Sequence, residues 1–214
     1  MTVHAKICGI TQPDALTAAV EGGARWIGLV FYERSPRHLA ASLAADLARM
    51  VPTGVRTVGL FVDPDDAYLE HVLTQVPLDT LQLHGAETPE RVGAIKAAWR
   101  LPVMKAVKVS EESDLDAVAA WAGVADRLLF DAKPPARVAA LPGGNGLSFD
   151  WTLLRGRDWP MPWMLSGGLT PANLAEAVRI SGAQAVDVSS GVEIRPGLKD
   201  PALIRDFLET CAGL

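Results

Sequence analysis

Three glycine-rich stretches fall in the last third of the chain: PGGNG (142–146), LSGGLTPANL (165–174) and VDVSSGVE (186–193). Glycine lets backbone N–H groups approach an anion closely, and the start of a helix adds favourable partial charge. Together the three stretches point to a phosphate cradle, although each alone reads equally as a turn between elements. Two groups able to move protons accompany them. Asp131 closes the apolar run of RLLFDAKPP, and Cys8 closes that of AKICGIT. A partly desolvated carboxyl holds a proton it can deliver, and a thiol near cations or helix N-termini can lose one and act as a base. The competing readings are a loop-capping or Lys133-paired Asp131 and a Cys8 that only packs. Arg37, in FYERSPRHL, has the fork to clamp a carboxylate through two parallel hydrogen bonds, or is a solvated loop cation. Asp187 either orients a ligand hydroxyl or caps its own loop. His84, in LQLHG, has no second ligand at metal spacing, so it is expected to hydrogen-bond or pack and no metal site is expected. No GxGxxG stretch follows a strand pattern, which argues against a nicotinamide cofactor.

These residues must be positioned by the elements around them. Runs rich in Val, Leu, Ile, Phe or Trp, closed by Gly, Asp, Ser or His, predict strands over 4–9, 26–32, 56–63, 80–84, 102–109, 127–132, 162–167 and 185–190. Helical patterns lie between them: 11–23 with Thr11 as cap, 63–76, 87–99, 110–123, 170–182 with a cap, a first-turn proline and a terminal glycine, and 199–214. Eight strands alternating with helices imply parallel pairing through right-handed crossovers, and eight is the number that closes into a compact (β/α)8 barrel. A doubly wound open sheet is the competing fold. The chain shows no linker or low-complexity tract and reads as one domain, 1–214. In such a barrel, reactive groups lie where strands end, and phosphate sites recur after the late strands. Period-two alternation places Leu129 with Asp131, and Lys6 with Cys8, on common strand faces.

Composition narrows the classes further. The 214 residues are 49% hydrophobic and 21% charged, an ordinary globular balance. A net charge of -5 gives no general attraction to nucleic acid or to an anionic membrane, so an anionic ligand needs a local site. The opening MTVHAKICGI has no long apolar run after a basic segment, and no stretch approaches the length needed to span a bilayer, so neither signal peptide nor membrane partner is expected. The two cysteines, Cys8 and Cys211, lie at opposite ends of the chain, which suits reduced thiols in the cytoplasm. No apolar stripe stands out as an interface, so the chain is expected to be a monomer.

The segments KICGIT, GLVFYERSPRHL, LQLHG, LLFDAKPP, GGNGLSFDW, LSGGLTPANLAEAV and VDVSSGVE closely resemble the phosphoribosylanthranilate isomerases of tryptophan biosynthesis. The resemblance runs from the first strand to just before the last helix. It implies a TIM barrel and an Amadori rearrangement of N-(5-phosphoribosyl)anthranilate, a small phosphosugar substrate, with no metal or organic cofactor. It also implies roles. Asp131 is the general acid that opens the ribose ring, and Cys8 is the base that takes the C2 proton. Arg37 holds the anthranilate carboxylate. The phosphate rests on Gly144, Asn145, Gly146, Gly167, Gly168, Ser189, Ser190 and Gly191, and Asp187 lies near the sugar hydroxyls. Asn145 departs from the family, which more often has Thr or Ser there.

Lys6 raises a question of its own. Beside Cys8 it would lower the thiol pKa, yet a buried ammonium is costly without a partner. Two other functions compete with the main reading. The related histidine-pathway aminoaldose isomerase has an aspartate as its first-strand base, and Cys8 with the SPR of 35–37 argues against it. A non-catalytic phosphate-ligand binder would keep the glycine loops while Cys8 or Asp131 drifted.

Overall fold

The structure, a computed structural model, describes residues 2–134 and 143–214. Pro135 and Pro142 of the stretches quoted above lie outside the described residues. Eight parallel strands form a closed barrel: β1 (His4–Cys8), β2 (Trp26–Phe31), β3 (Arg56–Phe61), β4 (Thr80–Leu83), β5 (Val103–Val109), β6 (Arg127–Ala132), β7 (Trp163–Leu165) and β8 (Ala185–Val188). Neighbours pair in chain order, and β8 returns to β1 in the register His4↔Ala185 to Ile7↔Val188. Each strand starts at the residue expected from its apolar run or one residue later. The open sheet is thereby excluded.

Helices α1 (Pro13–Glu21), α2 (Ala41–Arg49), α3 (Asp66–Leu73), α4 (Pro89–Trp99), α5 (Leu174–Ser181) and α6 (Pro201–Ala212) surround the barrel. Side-chain caps start three of them: Asp65 accepts from Tyr68 N, Thr88 from Arg91 N and Asp200 from Ala202 N. Thr11 is not a cap, because Gln12 takes that position and the Thr11 hydroxyl donates to Gly197 O at 3.1 Å. Thr170 does not open α5 directly. It closes a turn with Asn173, through Thr170 N to Asn173 Oδ1 at 2.8 Å and Asn173 N to Thr170 Oγ1 at 3.3 Å, and the helix follows. The segment expected as a helix over 110–123 winds as a 3₁₀ helix, Glu112–Trp121, and nothing in its pattern explains the tighter winding. Helix α2 and a short antiparallel hairpin, β9 (Glu193–Arg195) with β10 (Leu198–Lys199), are additions to the expected elements.

The apolar core has two parts. Trp26, Val58, Met104, Ala106, Leu129, Met164 and Ala185 fill the barrel interior. A larger layer, including Ile7, Ile27, Phe61, Leu81, Phe130 and Phe207, packs between strands and helices. One ion pair also lies in this outer layer. Lys105 Nζ sits 2.7 Å from Glu87 Oε2, with both side chains at 3% exposure or less. The other carboxylate oxygen accepts from Asp63 N at 2.9 Å and from Gly85 N at 3.1 Å, so Glu87 ties together the loops after β3 and β4. Removing one partner of such a pair leaves an uncompensated buried charge. Glu87→Ala is therefore expected to lose about 3–5 kcal/mol of stability in urea unfolding. An unchanged midpoint would show that these loops do not depend on the pair.

Candidate active site

The carboxyl ends of the strands open into one cavity. Its wall includes Cys8, Arg37, Gln82, His84, Asp131, Asp187 and the loops at 143–147, 166–169 and 189–190. The strand alternation explains why. Leu129 points into the barrel core, and Asp131, two residues on, lines the cavity above it. Lys6 and Cys8 share the corresponding inward face of β1.

Lys6 is fully buried and has a partner. Its Nζ lies 2.8 Å from Asp187 Oδ1, and Ser166 Oγ donates to Asp187 Oδ2 at 3.1 Å. Burial pulls the Lys6 pKa down, but Asp187 and the Cys8 sulfur outweigh it, and the net shift is upward. Lys6 is thus an ammonium at neutral pH. For Cys8 the largest influence is burial, which pushes the thiol up. Lys6 and, more weakly, Lys199 pull it down, Asp187 pushes it up, and the net shift is upward. Lys6 acts on the thiol in the expected direction without prevailing. Close approach is built in at β2, where a Cβ on Gly28 would stand 2.8 Å from Cys8 Sγ.

Asp131 is held by a hydrogen-bonded chain. Gln82 Nε2 lies 2.9 Å from His84 Nδ1, and His84 Nε2 lies 3.1 Å from Asp131 Oδ2. An amide nitrogen only donates, so Nδ1 accepts and the Nε2–H donates to the carboxyl group. Oδ1 is left on the side of Gly167. Lys133 pairs with Asp114 instead, so the Lys133-paired reading of Asp131 does not hold.

Arg37 is no solvated cation. It is 4% exposed, and its Nε and Nη2 meet Glu193 Oε1 and Oε2 at 2.7 and 2.8 Å. Nη2 also donates to Gly144 O at 3.2 Å. Lys199 Nζ bonds Glu193 Oε1 at 2.8 Å, Ser189 O at 2.8 Å and Ser189 Oγ at 3.2 Å. Ser189 Oγ in turn donates to the Cys8 carbonyl at 3.1 Å. Burial pushes the Glu193 carboxyl up, but Arg37 and Lys199 bring it below its ordinary value. Burial brings Lys199 down to about 8, against the pull of Glu193.

The glycine loops meet one another. Gly146 faces Ser190 Oγ, Gly168 lies against Leu147, and Gly191 packs so closely on Leu169 that a Cβ there would stand 1.9 Å from its carbonyl oxygen. Gly167 and Gly168 have φ of 89° and 64°, which favours glycine at both positions. Gly144, Asn145, Gly146, Gly167, Gly168, Ser189 and Ser190 all line the cavity, whereas Gly191 serves the packing behind it. Among the described residues, no group of His, Cys, Asp and Glu is placed to hold a metal ion. Sequence reasoning gave no role to Gln82, Glu193 or Lys199. Glu193 stands inside the quoted VDVSSGVE, and the Pro-Gly turn at 196–197 is the signal for the hairpin that carries it.

Comparison with known proteins agrees with this geometry. The family model described as N-(5'phosphoribosyl)anthranilate (PRA) isomerase matches residues 5–210. The N-(5'-phosphoribosyl)anthranilate isomerase of Rhodospirillum centenum is 71% identical over 214 residues, covering 100% of both chains. Among solved structures, generated monomers of the dimeric phosphoribosylanthranilate isomerase of Thermotoga maritima superpose with a TM-score of 0.84 at 36% identity and full coverage of both chains. A phosphoribosyl anthranilate isomerase in complex with reduced 1-(o-carboxyphenylamino)-1-deoxyribulose 5-phosphate gives 0.85 at 35% identity, again over 100% of each chain. With its eight-stranded barrel, a family model matching residues 5–210 and a relative 71% identical over the full length, the chain belongs to the N-(5'-phosphoribosyl)anthranilate isomerase family.

Proposed function

We propose that residues 1–214 act as one catalytic barrel domain converting N-(5-phosphoribosyl)anthranilate to 1-(2-carboxyphenylamino)-1-deoxyribulose 5-phosphate, a step of tryptophan biosynthesis. The observation that carries this reading is the placement of Cys8 and Asp131 in one cavity, on strands separated only by β7 and β8. The reaction needs proton transfers alone, and these two groups suffice for them. Asp131, held through Oδ2 by His84, delivers a proton from Oδ1 to the ribose ring oxygen. The C1–O bond breaks and a protonated Schiff base forms. Cys8, as thiolate, takes the proton from C2, leaving an enolamine that tautomerises to the ketone. The loops at Gly144–Gly146, Gly167–Gly168 and Ser189–Ser190 hold the phosphate, with Gly191 behind them. Asn145 offers a side-chain amide to the phosphate where relatives of the family more often place a hydroxyl. Arg37 holds the anthranilate carboxylate. Asp187 serves the sugar hydroxyls less directly than its position suggests, because Lys6 and Ser166 already engage both its oxygens.

The working unit is read as a monomer, since the large apolar side chains exposed among the described residues, Leu43, Met50, Leu147 and Ile194, are few. The cysteines are unpaired and buried, as suits the cytoplasm, and among the described residues no helix is long and apolar enough to cross a membrane. The net charge of -5 speaks against a nucleic-acid partner.

The test is the fluorescence decay of freshly made phosphoribosylanthranilate with wild type, Cys8→Ser and Asp131→Asn. Wild type is expected to consume the substrate and each folded variant to lose about 10²–10⁴-fold in kcat. No turnover by wild type, or variants within about tenfold of it, would overturn the assignment. The raised thiol pKa adds a sign. The single-turnover rate is expected to climb from about pH 7 to about pH 9, as the thiolate fraction grows. A flat profile would argue against thiolate as the base.

A further inference from the structure

Arg37 presents a difficulty as a carboxylate clamp. Its bidentate partner Glu193 already supplies a carboxylate, and both side chains are at most 5% exposed. An internal carboxylate so placed cancels the guanidinium charge and leaves the pair little attraction for a second anion. Lys199 changes the balance. Its Nζ contacts the same Glu193 Oε1 that receives Arg37 Nε, and its side chain is fully buried. Two cations sharing one carboxylate retain one net positive charge, on the wall where Arg37 Nη1 meets Gly144.

We propose that Lys199 is a positioning residue for the carboxylate end of the substrate: it offsets the charge of Glu193, so that Arg37, oriented by Glu193, remains able to bind an aromatic carboxylate. The inference rests on the reading of Arg37 given under Proposed function and adds the means by which that residue works. Each neighbouring element contributes identifiable groups. The hairpin brings Glu193, the loop after β2 brings Arg37, β1 brings the Cys8 sulfur and the loop after β8 brings Ser189. Asp200, at the start of α6, turns its carboxylate to Ala202 N. The Lys199 ammonium, brought down to about 8 by burial, gives the cluster a charge that pH can remove. Below that pH the three groups sum to one positive charge, and above it to none.

The test compares two stable ligands by calorimetry: the reduced product analogue, and its counterpart lacking the ring carboxylate. Their affinity ratio cancels effects on the phosphate loops and on Cys8. For wild type, the preference for the carboxylated ligand is expected to fall about tenfold between about pH 7 and about pH 9. Lys199→Met is expected to lose about tenfold of that preference at neutral pH and to abolish its pH dependence. Glu193→Gln combined with Lys199→Met restores the net charge and is expected to recover most of the preference. A lysine with only a structural role would not be rescued by a second substitution. Arg37→Met separates the two levels. If Arg37→Met loses the preference while wild type shows no pH dependence and Lys199→Met keeps the preference, the inference on Lys199 fails and the clamp stands. If Arg37→Met keeps the preference, the clamp itself is wrong. Should Lys199→Met not fold, the wild-type pH series decides alone.

Discussion

The ion pair between Lys6 and Asp187 lies where the barrel closes, and the site is built around it. It joins the first strand to the last, at 2.8 Å with almost no solvent exposure. Burying two charges is costly unless the geometry is good and the remaining hydrogen-bonding positions are filled. Here Ser166 takes the second carboxylate oxygen and brings in β7. That bond matters because β7 and β8 share only one registered pair, Leu165↔Val186. The polar seam therefore does part of the work that backbone ladders do elsewhere in the barrel. Cys8 sits two residues beyond Lys6, so closure of the barrel and placement of the thiol are one event.

A second consequence is electrostatic. The chain carries a net charge of -5, yet Arg37 on the cavity wall and the buried Lys6 and Lys199 behind it gather there, each sharing its charge with a buried carboxylate. A doubly charged phosphosugar with a carboxylate would meet little attraction from the protein as a whole. It meets a local field made by buried groups, which salt screens less than surface charges. The same burial keeps Cys8 a thiol at rest, and the charges around it decide how far its ionisation is displaced.

Much of this was legible in the sequence for physical reasons. Strands in a parallel barrel are apolar on both faces, so runs such as WIGLVF and RLLFDA stand out, and a polar residue at their ends is conspicuous. Asp131, Cys8 and His84 were found that way. Helix α2 was not, because neither of its ends carries a boundary signal: Ala40 precedes it without a side-chain cap and Met50, not a glycine, closes it. Lys199 and Glu193 were missed for another reason. Charged residues near the surface of a sequence pattern read as solvated, and only the fold of the Glu193–Lys199 hairpin against the loop after β2 shows them buried. Partners such as Lys6 with Asp187, 181 positions apart, lie beyond any local pattern. The resemblance to a family supplied roles for Arg37 and the glycine loops, but not the internal carboxylate that Arg37 already holds.

The most direct measurement is a titration of the Cys8 thiol by its alkylation rate with iodoacetamide across pH, in a Cys211→Ala background, with and without Lys6→Met. The ordered burial and charges around β1 and β8 place the wild-type midpoint above that of a free thiol. Removing Lys6 takes away the cation that pulls the thiol down and leaves Asp187 unpaired beside it, so the midpoint should rise further in a protein that remains folded by circular dichroism. A wild-type midpoint at or below the ordinary thiol range, or a Lys6→Met midpoint that is unchanged or lower, would contradict the claim that the closure seam governs the ionisation of Cys8.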